Sequence, residues 1–75
     1  MHTERSDVRR ADAGNHALVA MLYRELLRIA GREDALANDE AAGVPYWAPN
    51  PPSVLAHRAA AAALRFQADQ LLAAS

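Results

Sequence analysis

Hydrophobic residues recur with helical spacing in two long segments. Between residues 16 and 30 they fill nearly half of the helix circumference. This pattern predicts a helix that begins after Asn15, a good N-cap residue, and ends at Gly31, a common helix terminator. Alternatively, the helix starts near Ser6, with Val8 and Ala11 extending the same apolar face across Gly14. A face this wide is broader than the contact strip of two helices, so we expect this helix to touch more than one neighbour.

The second helix is predicted from residue 53 to residue 73, with Ser53 or Asn50 as its cap. Its apolar residues form two strips. One strip contains His57, Ala60, Ala61, Leu64, Ala68 and Leu71, and the other contains Leu55, Ala59, Ala62, Ala63 and Phe66. His57, Leu64 and Leu71 are spaced by seven residues, which is typical of helices that pack lengthwise.

The intervening residues predict breaks in helical structure. Residues 32–42 suggest a short, marginal helix ending at Gly43, since Leu36 is their only large apolar residue. Residues 43–52 hold all four prolines and should form a stiff, extended connector. Residues 1–14 are polar and are interpreted as a flexible or loosely helical arm. The chain is therefore predicted to be one all-α domain (1–75), a helical hairpin or small three-helix arrangement with antiparallel long helices.

Composition narrows the possible functions. The chain has 75 residues, no cysteine and no lysine, so thiolate metal sites, disulfides and lysine-based catalysis are excluded. Nineteen alanines and eight arginines indicate a GC-rich bacterial or phage genome. The charged N-terminus does not resemble a signal peptide, and no apolar run approaches the roughly 20 residues of a membrane span. A soluble, cytoplasmic protein is expected.

Candidate catalytic groups are sparse. No two of His2, His16 and His57 are four residues apart, the spacing of a helical metal pair, and no serine lies in a nucleophile motif. The acidic residues Glu33, Asp34, Asp39 and Glu40 are interpreted as a solvated helix face, or alternatively as a docking surface for a basic partner. Single replacements of these acids should change stability little. We therefore predict no enzymatic activity, no metal, no cofactor and no small-molecule substrate.

The most distinctive segment contains Tyr46 and Trp47, bounded by prolines. Folding back over the helix pair would bury both rings and stabilise a chain with few large side chains. The alternative is an exposed aromatic pair that anchors a partner. We expect Trp47 to be largely buried, either in the monomer or at an interface.

Elimination and surplus apolar surface favour a protein–protein interaction function. The chain would be a small accessory, regulatory or inhibitory protein, and a homodimer is expected. The predicted partner-binding residues are Tyr46, Trp47, His57, Leu64, Ala68 and Leu71. In the rival arrangement, the strip containing His57, Leu64 and Leu71 is instead the core of a monomeric hairpin, and the side containing Phe66 is left uncovered.

An alternative function is a small dimeric DNA-binding regulator. Arg5, Arg9 and Arg10 form a basic N-terminal arm of the kind that enters a DNA groove. Interleaved acids and a net charge of −1 argue against nucleic acid as the partner. A third possibility is a minor subunit of an enzyme complex.

Overall fold

The chain forms a helical hairpin. The computed structural model describes the backbone of residues 2–75 and the side chains of residues 12–75. Helix α1 (His2–Ala42) and helix α2 (Pro52–Ala74) are joined by a connector of residues 43–51, and the described backbone contains no strand. The helices are antiparallel, because Ser53 meets Glu40 at the connector while Leu71 lies beside Val19 at the open end. The predicted all-α hairpin is confirmed.

Helix α1 is continuous across Gly14 and Gly31. The prediction of a helix end at Gly31, followed by a separate helix at 32–42, is therefore wrong, and so is the three-helix alternative. No glycine has a positive φ angle, which a helix terminator of this type would need. Ala30 and Ala37, on either side of Gly31, are both fully buried. This packing outweighs the roughly 1 kcal/mol that glycine costs inside a helix.

The core is a seam of small residues, which we call the alanine seam. Five apolar residues in the described side chains are fully buried: Ala30 and Ala37 on α1, and Val54, Ala61 and Ala68 on α2. On each helix they recur every seven residues, so they keep facing the partner helix along its length. Because alanine has no side chain beyond Cβ, the two backbones can approach closely.

A second row of half-buried residues borders the alanine seam on each helix. On α1 it contains Val19, Leu26, Glu33 and Glu40, and on α2 it contains His57, Leu64 and Leu71. The interface is therefore polar near the connector and apolar near the open end.

These positions decide which side of α2 faces α1. The prediction that the strip of His57, Leu64, Ala68 and Leu71 is left uncovered is wrong, because this strip packs on α1 and Ala68 is fully buried. Phe66 is on the exposed side, as in the rival arrangement. The hydrogen bond between His57 and Glu33 gives a physical reason, since it can form only in this orientation.

Backbone hydrogen bonds define the ends of the connector. The amides of Gly43 and Val44 donate to carbonyls in the last turn of α1, and the amide of Ala48 donates to Pro45 to close a turn. Pro51 has an extended backbone with φ −61° and ψ 153°, and α2 starts at the next proline, whose fixed φ suits a first helical position. Ser53, predicted as the cap, makes no capping bond; its hydroxyl donates to the Glu40 carboxylate instead.

Replacing Gly31 with alanine tests the continuity of α1. A Cβ atom at this position would meet no atom within 4 Å. Gly31→Ala should raise the free energy of unfolding by about 0.5–1 kcal/mol, because alanine loses less backbone entropy in a helix. Urea denaturation followed by circular dichroism measures the change. Gly43→Ala, beyond the end of α1, is the control and should have a smaller effect; a destabilised Gly31→Ala variant would show that the helix is interrupted there.

Replacing Ala68 with glutamate tests the alanine seam. The carboxylate would lie unpaired between the helices, and burying an unpaired charge costs several kcal/mol, which is enough to unfold a small domain. Ala62→Glu, on the exposed side of α2, should leave the helix content unchanged. Far-ultraviolet circular dichroism compares the two variants, and a fully helical Ala68→Glu protein would contradict the packing.

Candidate protein interaction surface

Three acidic side chains of α1 reach across to α2. Glu33 Oε2 lies 2.5 Å from His57 Nδ1, and Asp34 Oδ2 accepts a 2.5 Å hydrogen bond from Arg65 Nη2. Glu40 accepts a hydrogen bond from the Ser53 hydroxyl. The interpretation of the acidic cluster as a solvated face is therefore wrong for these three residues, and only Asp39 fits it.

The pair of His57 and Glu33 lies within the helix interface. Their side chains are 33% and 25% exposed. Because a carboxylate only accepts hydrogen bonds, the ring nitrogen facing it carries the hydrogen. No buried side-chain nitrogen or oxygen in the described residues lacks a hydrogen-bond partner. The polar groups of the interface are thus used to join the helices and fix their register.

The described side chains provide no assembled chemical centre. Among residues 12–75, no group of three histidine or acidic side chains could hold a metal ion. A groove at the open end, lined by Asp12, His16, Val19 and Leu71, is open to solvent. These features do not form the enclosed pocket with convergent polar groups that small-molecule sites require.

Helix α1 also carries an ion pair on its outer surface. The Arg28 guanidinium hydrogen-bonds to Glu25 and lowers the pKa of that carboxyl, while the same hydrogen bond raises the pKa of Arg28. Both side chains are exposed. The pair supports the helix locally, as residues three apart do on a helix surface.

The two connector aromatics point into solvent. Tyr46 is 99% exposed and Trp47 is 75% exposed. The interpretation that they fold back over the helix pair is wrong for the hairpin itself. Val44, Ala48 and Pro51 are the half-buried residues of the connector instead, and Val44 continues the seven-residue row that contains Ala30 and Ala37. Tyr46 and Trp47 remain candidates for contact with a partner.

The hairpin has two long faces of different character. The contact between Asp34 and Arg65 lies on one of them, which we call the charged face. The charged face also carries Arg24, Arg58, Asp69 and Leu72. The opposite side, which we call the apolar face, carries Leu18, Leu22, Ile29 and Leu36 from α1 and Ala56, Ala60 and Ala63 from α2, with Ser53, Gln67 and Gln70 as the polar residues of α2 there. On α2, the positions on this side from Ser53 to Ala74 include no charged residue.

A wide apolar face over residues 16–30 was predicted from the sequence, but its continuation to Leu36 and the part of α2 beside it were not. Leu22, Ile29 and Leu36 are spaced by seven residues, and this spacing was a usable signal. Gly31 obscured it, because a helix end there assigns Leu36 to a different element. The predicted residues His57, Leu64, Ala68 and Leu71 come together, but within the hairpin. Arg5, Arg9 and Arg10 belong to α1, and their side chains lie outside the described residues.

Comparison with other proteins gives no relative. The sequence matches no protein-family model, and neither a curated protein nor a solved structure is similar to it. Neither helix, over the part of the chain that the structure describes, has a stretch apolar and long enough to cross a membrane.

Removing the Glu33 carboxylate should weaken the hairpin. Glu33→Ala leaves His57 without its acceptor between the helices, so the free energy of unfolding should fall by about 1 kcal/mol. Asp39→Ala, which removes a fully solvated carboxylate on the same helix, should change it by less than about 0.5 kcal/mol. Urea denaturation of both variants provides the comparison, and equal effects would show that the pair does not join the helices.

Trp47 should behave as a solvent-exposed fluorophore in the isolated hairpin. Its emission should lie near that of indole in water and be quenched by iodide, because most of the ring is exposed. Trp47→Ala should change the free energy of unfolding by less than about 0.5 kcal/mol. Blue-shifted emission from dilute protein, together with a large loss of stability, would show that the ring is packed.

Proposed function

We propose that this chain is a small, non-catalytic accessory protein of regulatory or inhibitory type, which acts by docking its apolar side chains on another protein chain. The observation that supports this proposal most strongly is that large apolar side chains are exposed while mostly small ones are buried. Ten large apolar side chains of the described residues are exposed, whereas four of the five fully buried residues are alanine. Three of the ten, Leu18, Leu22 and Leu36, lie on the apolar face with the half-buried Ile29, and apolar surface grouped in this way marks interaction sites in proteins.

Total surface area supports the proposal. The chain has 5868 Å² of accessible surface. A compact monomer of its 8.1 kDa mass would have about 4,500 Å². The difference, about 1,400 Å², reflects the elongated shape, in which α1 has 41 residues and α2 has 23. The hairpin therefore offers long, accessible helix faces for contact with another chain.

The hydrogen bonds between the two helices also support a non-catalytic role. His57, Glu33 and Asp34 contact residues of the opposite helix, so their hydrogen-bonding capacity supports the fold. The absence of disulfides leaves a chain of this size dependent on helix packing and association. Docking on another chain would add the apolar burial that the alanine seam does not supply.

Site-specific crosslinking tests the proposal. A photoreactive residue placed at Leu22, on the apolar face, should crosslink to a protein chain in cells of the source organism. The same residue placed at Arg24, on the charged face of the same helix, should not. The crosslinked chain is then purified and titrated by calorimetry. Leu22→Glu should weaken its affinity by roughly tenfold or more, since it introduces a charge into an apolar contact.

Two outcomes would contradict the proposal. One is the absence of any crosslink from Leu22 to a chain of this or any other sequence. The other is binding to duplex DNA that weakens steeply with salt, the signature of released counterions, which would favour the regulator based on Arg5, Arg9 and Arg10.

A further inference from the structure

We propose that the apolar face is covered by a second copy of this chain, so that two hairpins pack face to face as a four-helix bundle. The inference rests on the proposed function and names its partner. The two-fold axis runs parallel to the helices, and each α1 packs over the α2 of the other copy.

Spacing along α1 provides the first argument. Leu22, Ile29 and Leu36 recur every seven residues, each one position before a member of the row facing α2, namely Tyr23, Ala30 and Ala37. One position is about 100° around the helix. Helix α1 therefore has two adjacent apolar strips with the same repeat, one used by α2 and one free. Helices with two such strips are typical of bundles, in which each helix contacts two neighbours.

Side-chain size provides the second argument, and it selects a copy of the same chain as the occupant. The row from α1 is large, with leucine and isoleucine, whereas the facing positions of α2 nearer the connector are small, with Ala56, Ala60 and Ala63; Gln67 and Gln70 follow toward the open end. A two-fold rotation about an axis parallel to the helices places the large row of each copy over the small row of the other. The face is thus self-complementary, as an isologous interface must be.

The heights of these residues agree with this arrangement. The contacts of Ser53 with Glu40 and of His57 with Glu33 fix the relative height of the two helices. Counting along α2 from these contacts places Ala56 near the height of Leu36, and Ala63 near that of Ile29. Rotation about an axis parallel to the helices preserves height, so Leu36 and Ile29 meet Ala56 and Ala63 of the other copy and can enter the grooves beside them. By the same count, Leu22 lies near Gln70, whose amide can reach solvent at the edge of the face.

Charge provides the third argument. The positions of α2 on the apolar face carry no charged side chain. Pairing of two copies through this face would therefore not remove water from any charged group of α2. Glu25 and Arg32 share the seven-residue row of Leu18, at the outer border of the apolar face, where they form a solvated rim.

Sedimentation equilibrium tests the pairing. The wild-type protein at about 100 μM should have twice the single-chain mass of 8.1 kDa. Leu22→Glu/Leu36→Glu should have the single-chain mass with its helix signal retained, because both side chains are exposed in the hairpin. Leu72→Glu is the matched control, since Leu72 is 46% exposed against 45% for Leu22 but lies on the charged face. It should keep the doubled mass.

The small row of α2 provides an independent test. Ala60→Glu, at the position of α2 that corresponds to Ile29 and Leu36 on α1, should halve the mass, whereas Ala62→Glu, on the outer side of the same helix, should not. Circular dichroism confirms that each variant is folded; Ala60 is half-buried, Ala62 is exposed, and neither belongs to the alanine seam.

Three results would overturn the pairing: a wild type with single-chain mass at about 100 μM, a Leu22→Glu/Leu36→Glu variant that keeps the doubled mass, or equal dissociation by Leu72→Glu. A monomeric wild type that crosslinks from Leu22 to a different protein would overturn the pairing but retain the proposed function. A monomeric wild type with no crosslink would remove both.

Discussion

Close contact through alanine is the constraint on which the rest of this structure depends. Ala30, Ala37, Ala61 and Ala68 bring the two helices together, but each buries only a small apolar area. At about 25 cal/mol for each Å² of apolar surface, such a core supplies far less stabilisation than leucines would. The alanine seam therefore lets the two helices approach closely along their length. The polar pairs near the connector fix the relative height of the two helices.

The same constraint explains why the larger apolar residues lie outside. A leucine at a seam position would separate the helices and break the contact between His57 and Glu33. The sequence consequently places leucine, isoleucine and phenylalanine on the remaining sides of both helices. The hydrophobic residues of this chain thus have two roles. The alanine seam and the half-buried row of Val19, Leu26, Leu64 and Leu71 hold the hairpin together, whereas the remaining large residues are exposed. This division links the internal packing to the proposed interaction function.

The sequence predicted the hairpin and the approximate limits of α2, because four prolines in one segment allow no continuous helix there. It did not predict the continuity of α1. Glycine disfavours a helix through its own backbone, which is visible in the local sequence, whereas the packing of Ala30 and Ala37 depends on residues of α2 that are distant in sequence. It also could not choose between the two strips of α2, which are equally rich in alanine. Contact between Glu33 and His57 joins residues far apart in sequence, so no local pattern shows it. The exposure of Trp47 depends on the turn between Pro45 and Ala48. The amino-acid composition of the connector does not determine which way this turn directs the ring.

The elongated shape of the hairpin determines how it moves in solution. The molecule measures 70 × 16 × 12 Å, and its radius of gyration is 19.1 Å. A compact chain of 75 residues would have a radius of gyration of about 11 Å. A rod of this kind rotates quickly about its long axis and slowly end over end, and its friction with water is that of a heavier globular protein. Adding a second rod side by side would double the mass while leaving the length unchanged, so the hydrodynamic size would grow much less than the mass.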